Sequence, residues 1–238
     1  MNDLIEFYRK KLGFKDFYNI IKNNIKSNPN DYIQNSRFLE TIEASNISSF
    51  KNIKAKPGDL RIDVPVWFGN FEMTEYKIVV AGREPRDTNS DFNVEHIDNK
   101  IFACPFGVDR WNKQSSIKGK PQNKYYRVFD NLICDNKFFM LFTDIVKEYE
   151  IVGNADDHAR DTFDSKAESS KDLFIEEIKK IKPNVIISLG NETFSKIDKW
   201  FQENFEILKV PIRHPSHGGE KEAKAQLKDF LQKISSVS

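Results

Sequence analysis

Cysteine is nearly absent: 238 residues carry only Cys104 and Cys134. Two thiols exclude a scaffold built on disulfides, and equally a four-cysteine zinc or iron–sulfur site. Neither metal nor cofactor is expected. Long apolar runs are missing as well. None approaches the roughly 20 residues of a membrane-spanning helix, and the opening MNDLIEFYRKK holds no apolar signal-peptide core. The expectation is an intracellular, cytoplasmic protein without membrane contact. Internal repeats and low-complexity tracts are lacking too. Net charge is the last absence, since 37 Lys and Arg against 36 Asp and Glu leave only +1. Taken as a sum, that argues against nucleic acid, whose phosphates attract an excess of cations. Hydrophobic residues still reach 39%, and a chain of this length buries a real core.

What is present changes character near residue 58. The stretch LIEFYRKKLGFKDFYNIIKNNIK sets Leu4, Ile5, Phe7, Tyr8, Leu12, Phe14, Phe17 and their successors at mostly helical spacing, with basic residues between them. A Ser-Asn-Pro-Asn break at 27–30 ends that helix, and a second is predicted over roughly 31–44. Residues 1–58 are thus expected to be a helical extension packed on the main domain, residues 59–238 an α/β domain. Four β-rich segments follow in the second part: Tyr76–Ala81, Phe138–Thr143, Pro183–Gly190 and Phe205–Val210. Helices are predicted over Ser170–Lys180, near Glu192–Gln202 and over Glu220–Ile234. Strands alternating with helices imply βαβ units. The predicted fold is a three-layer α/β/α arrangement around a central, mainly parallel four-stranded sheet.

In such a sheet, functional loops lie beyond the carboxyl ends of the strands. Three loops there carry chemistry. Gly82-Arg83-Glu84-Pro85-Arg86-Asp87 follows the first strand, where Gly82 permits a tight turn and Pro85 stiffens the backbone presenting Glu84. Thr143-Asp144 ends the second strand. Arg213-His214-Pro215-Ser216-His217-Gly218-Gly219 follows the fourth. Each alone reads equally as a charged surface turn; together they fall on one edge of one sheet.

The set and its order resemble the uracil-DNA glycosylase superfamily, whose first motif is Gly-x-Asp/Asn/Glu-Pro and whose last is His-Pro-Ser. Gly82-Arg-Glu-Pro85 and His214-Pro-Ser216 stand in those places. Ile181-Lys-Pro-Asn-Val-Ile-Ile-Ser-Leu-Gly190 is similar to the family's third strand, and Phe142-Thr-Asp-Ile-Val-Lys147 to the end of its second. The likeness covers roughly residues 60–235. It implies a monofunctional DNA glycosylase that hydrolyses the N-glycosidic bond of a flipped-out uracil or other modified or deaminated base. Breaking that bond develops positive charge on the sugar and negative charge on the base. Glu84 then stabilises the cation or orients water, and His214 stabilises the leaving base. Asp144 reads the base edge, and Phe102 or Phe106 supplies a ring to stack on it. A catalytically silent module that binds nucleic acid or a nucleobase is the alternative.

Charge is segregated along the chain. Between 100 and 127, Lys100, Arg110, Lys113, Lys118, Lys120, Lys124 and Arg127 meet one acid, Asp109, with Trp111, Tyr125 and Tyr126 interleaved. Such a stretch grips phosphates and stacks on bases; a solvated basic loop is the plainer reading. Arg110, Lys113, Lys118, Lys120, Lys124 and Arg213 are the expected nucleic-acid contacts. Two departures from the family affect specificity. Asp144 stands where its uracil readers carry Asn, and an ionised carboxylate has no donor for uracil O4, although it accepts from cytosine N4. Protonated by burial, it would donate again. The loop after His-Pro-Ser reads His217-Gly218-Gly219, with no apolar wedge, which favours single-stranded or distorted DNA as the partner.

Overall fold

A computed structural model describes residues 2–13, 56–63, 65–74, 76–85, 93–97, 100–103, 124–133, 135, 137–151, 160–203, 206–215 and 218–235. The second predicted helix, roughly 31–44, lies outside them. In chain order the elements are α1 (Asn2–Leu12), β1 (Leu60–Asp63), β2 (Val66–Phe68), β3 (Tyr76–Gly82), β4 (Asn93–Ile97) and β5 (Lys100–Ala103). Then come α2 (Lys124–Ile133), β6 (Phe138–Asp144), β7 (Glu148–Glu150) and α3 (Arg160–Ile181). β8 (Val185–Leu189), α4 (Asn191–Trp200), β9 (Leu208–Ile212) and α5 (Glu220–Ser235) complete them.

The larger sheet has five strands in the order β2-β6-β3-β8-β9. β6, β3, β8 and β9 run parallel, and β2 is antiparallel to β6. This mixed α/β architecture keeps the four predicted strands and adds one. β2 is only three residues long, too short to show a period. Ile78, Val79, Val80 and Ala81 on β3, and Val185, Ile186 and Ile187 on β8, are all buried. Strands buried on both faces read as unbroken apolar runs, which is why they stood out in the sequence. β9 begins later than the predicted Phe205–Val210 and runs on through Pro211 to Ile212. Proline reads as a strand breaker, yet β9 is an edge strand, where a missing N–H is tolerated.

A second sheet was not foreseen. It has the order β4-β5-β1-β7, with β1 parallel to β5 and antiparallel to β7. One of its two inner strands, β1, is Leu-Arg-Ile-Asp, and Arg61 and Asp63 are buried; charged residues at core positions hide a strand from any hydrophobic pattern. Two of the chain's crossings between the sheets are short, from β1 to β2 and from β6 to β7. These passages lie side by side: the Asp63 N–H donates to the Lys147 carbonyl at 2.8 Å.

α3 is also longer than the predicted Ser170–Lys180. Its buried stripe is Phe163, Ala167, Ser170, Phe174, Glu177, Ile178 and Ile181, a helical spacing in which two polar members mask the period. α1 packs on α3 through Tyr8, whose hydroxyl donates to Glu177 at 2.5 Å. On α2, the Phe129 ring meets Phe142 of β6 edge-on at 5.5 Å. Arg127, part of the basic stretch, forms a two-pronged ion pair with Glu220 of α5 at 2.6 and 3.0 Å. No helix among the described residues is long and apolar enough to cross a membrane.

Candidate functional site

Because β3, β6, β8 and β9 are parallel, their carboxyl ends share one edge. Gly82 pairs with Asp144, and Leu189 pairs with Ile212. The loops beyond are tied by backbone bonds: Ile145 N–H to the Gly82 carbonyl at 3.0 Å, Val146 to Arg83 at 3.2 Å, and Gly190 to Ile212 at 2.9 Å. Arg83 reaches Glu192 at the start of α4 at 2.7 Å. His214 lies beside Gly190, where a Cβ would stand 3.7 Å from its own. The three sequence candidates Glu84, Asp144 and His214 thus all occupy this edge.

The Glu84 side chain is 1% exposed. Among the described residues two cations approach it: Lys166 Nζ at 3.4 Å from Oε2, and Arg83 Nε at 3.9 Å from Oε1. Lys166 also sits over the Tyr149 ring at 4.0 Å, and the Tyr149 hydroxyl donates to the Pro85 carbonyl at 3.3 Å. Arg83 lies over Phe163 at 4.2 Å. Lys166 belongs to α3, far along the chain, and no local signal in the sequence marks it.

Asp144 is 2% exposed, and its backbone N–H donates to Asp63 Oδ2 at 3.1 Å. Among the described residues its own Oδ2 has no hydrogen-bond partner. Burial pushes its carboxyl well above the usual carboxylate range; neighbouring Asp63 adds to this, Lys147 opposes it, and Glu84 and Glu177 add again. A buried carboxyl among other carboxyls favours the neutral form.

Directly behind Asp144 lies a buried charge cluster. Lys147, Asp63, Glu177 and Thr143 are all fully buried. Lys147 Nζ donates to Glu177 at 2.7 Å, to Asp63 at 2.9 Å and to the Thr143 hydroxyl. Thr143 in turn donates to Asp63 Oδ2 at 2.8 Å. Burial works against the Lys147 charge, but Glu177 and Asp63 outweigh it and hold the ammonium above its ordinary range. Glu177 is raised, chiefly by burial, with Lys147 opposing. Lys147 stood in a sequence motif; Asp63 and Glu177 did not.

The remaining candidates divide. Gly82 ends β3, and Pro85 and Pro215 are buried. Arg213 is exposed and 3.9 Å from Glu222, while its backbone N–H donates to Gln226 at 2.5 Å. Only the backbones of Phe102, on β5 opposite Ile62, and Lys124, at the start of α2, are described. Arg86, Asp87, Phe106, Arg110, Lys113, Lys118, Lys120, Ser216 and His217 lie outside the described residues. No group of three or more His, Cys, Asp or Glu among the described residues is placed to hold a metal ion.

The two glycines after His217 have a structural reason. Gly218 has φ +84°, and a Cβ on Gly219 would stand 2.2 Å from the His214 carbonyl oxygen. G219A should therefore displace His214 and destabilise the fold by about 1–3 kcal/mol, as overpacking does. Thermal unfolding and the His214 imidazole NMR signals check this; an unmoved imidazole would refute it.

In the comparisons with known proteins, no family model and no curated protein matches the chain.

Proposed function

We propose that the chain is a uracil-DNA glycosylase-like enzyme, a monofunctional DNA glycosylase hydrolysing the N-glycosidic bond of a flipped-out uracil or other modified or deaminated base. The supporting observation is a division of labour between two buried carboxyls at adjoining strand ends, Glu84 beside two cations and Asp144 beside other acids. Neighbouring carboxyls in opposed environments suit opposed roles. The same reading takes the five-stranded sheet, with α2 and α5 packed together and α3 and α4 packed together, as the middle of a three-layer α/β/α domain.

In this mechanism the nucleotide leaves the base stack and its base enters between the β3 and β6 strand ends. Glu84 faces the sugar, where its charge stabilises the developing cation and orients the attacking water. Lys166 and Arg83 keep that carboxylate in place. His214 donates to the base O2 and stabilises the charge that collects there. Asp144 reads the opposite edge. Lys147, the lysine of the second motif, is buried with its ammonium committed to Asp63, Glu177 and Thr143 and is no amine nucleophile, so water is the acceptor. The small Gly218-Gly219 pair, in a place suited to an apolar wedge, favours single-stranded or distorted DNA.

The test uses oligonucleotides bearing one uracil, hypoxanthine, xanthine or modified cytosine, single-stranded and duplex, treated with alkali to break abasic sites. Release of at least one base is expected, faster from single strands. No release from any of them defeats the enzymatic reading. Salt-sensitive binding without product would then favour the second reading, a silent module, which the Asp at 144 motivates.

A further inference from the structure

Unlike Asp63, Glu84 and Glu177, Asp144 has no ion pair with a cation among the described residues. Lys147 carries three N–H donors, and all three are committed, to Asp63, Glu177 and Thr143. Lys166 and Arg83 approach Glu84 instead. Asp63 Oδ2 already collects donors from Thr143, Lys147 and the Asp144 backbone, which sets a carboxylate beside Asp144. Its own Oδ2 is buried with no hydrogen-bond partner among the described residues. A second negative charge there would be desolvated and repelled together.

We propose, on the basis of the glycosylase reading, that Asp144 is the general acid of the site, entering the reaction as a neutral carboxyl and passing its proton to the edge of the departing pyrimidine. A neutral carboxyl offers one O–H and one C=O side by side. That pair complements a base edge with one acceptor beside one N–H: O4 and N3–H of a uracil-type base, or N3 and the N4 amine of a cytosine-type base.

The step balances. The Asp144 O–H bond breaks and its proton goes to O4 or N3 of the base. The C1′–N1 bond breaks with its electron pair going to the base, which leaves neutral. The water oxygen bonds to C1′, and its proton passes to the Glu84 carboxylate. Exchange with solvent then returns a proton to Asp144 and removes one from Glu84, giving free base and an abasic sugar. The neighbours pushing the Asp144 carboxyl upward, after burial itself, are Asp63 on β1, Glu84 in the β3 loop and Glu177 on α3, against Lys147.

D144N keeps the size and a donor–acceptor pair but has no transferable proton. Base release by D144N should be slower by about 10²–10⁴-fold. The alkaline decline of the wild-type rate, where Asp144 ionises, should disappear from its profile. Comparing uracil- and cytosine-bearing oligonucleotides tells whether the proton goes to O4 or to N3, by which substrate suffers the larger loss. A second readout needs no substrate: the Asp144 Cγ resonance of ¹³C-labelled protein, assigned by its loss in D144N, should remain at its protonated position through neutral pH. Titration in the ordinary carboxylate range, or D144N acting at the wild-type rate with the same profile, overturns the general acid and leaves the glycosylase reading standing. No release by wild type from any substrate overturns both.

Discussion

Replacing Lys147 with methionine should destabilise the protein by about 3–5 kcal/mol, the typical loss when one partner of a buried ion pair is removed. Methionine fills much of the volume, so the loss is electrostatic: Asp63 and Glu177 keep their burial and lose their shared ammonium. The deficit should shrink as pH falls, because Glu177, already raised by burial, then takes up a proton and needs no ammonium. Wild type behaves differently. Asp144 and Glu177 are raised, so the stability each contributes is fully present below its unfolded value and is lost as pH rises through the folded one. Lys147 is raised as well, so its contribution is present below its unfolded value of about 10.4 and lost only above the folded one. Denaturant unfolding from acid to alkaline pH measures all three. Replacing the whole triad, as D63N/K147M/E177Q, should recover much of the loss, since an apolar or neutral substitute for a buried ion cluster is often no worse than the cluster. A K147M protein as stable as wild type at neutral pH would mean that the cluster carries no such energy.

A large effect on activity is also expected at Glu84 and His214. E84Q removes the charge and keeps the shape, and on the proposed mechanism it should slow single-turnover base release by about 10²–10⁴-fold. H214A removes a donor to the leaving base and should lower the rate by about 10²–10³-fold. Both losses belong in the chemical step rather than in DNA affinity, because charge develops only as the bond breaks. Binding to an uncleavable oligonucleotide should therefore change little. A variant within about threefold of wild type at saturating substrate, far below those losses, would remove its residue from the chemistry.

The β3, β6 and β8 strands were legible because strands buried on both faces need continuous apolar runs, and parallel strands leave their loops together at one edge. Glu84, Asp144 and His214 could therefore be placed by counting strands. β1 was not legible, since it carries Arg61 and Asp63 into the interior and looks like a surface segment. The same polar disguise hid the first half of α3. Glu177, 34 residues from Thr143, and Asp63, 84 from Lys147, join the site's support only through the fold. Lys166 reaches Glu84 from 82 residues away, a partnership that no local spacing encodes. Gly219 has a role that the sequence does not display: its lack of a side chain lets the His214 backbone pass.

The two side-by-side chain passages have a consequence for cooperativity. One oxygen of Asp63, at the first passage, holds the Thr143 hydroxyl, the Asp144 amide and the Lys147 ammonium at the second. The seam between the two sheets is thus also the mount of the site. A strand end in an open sheet ordinarily frays ahead of the core; this one is tied by three bonds to the end of a strand in the other sheet. Local flexibility for admitting a ligand must come from elsewhere along the edge, beyond β9, where Arg213 faces solvent.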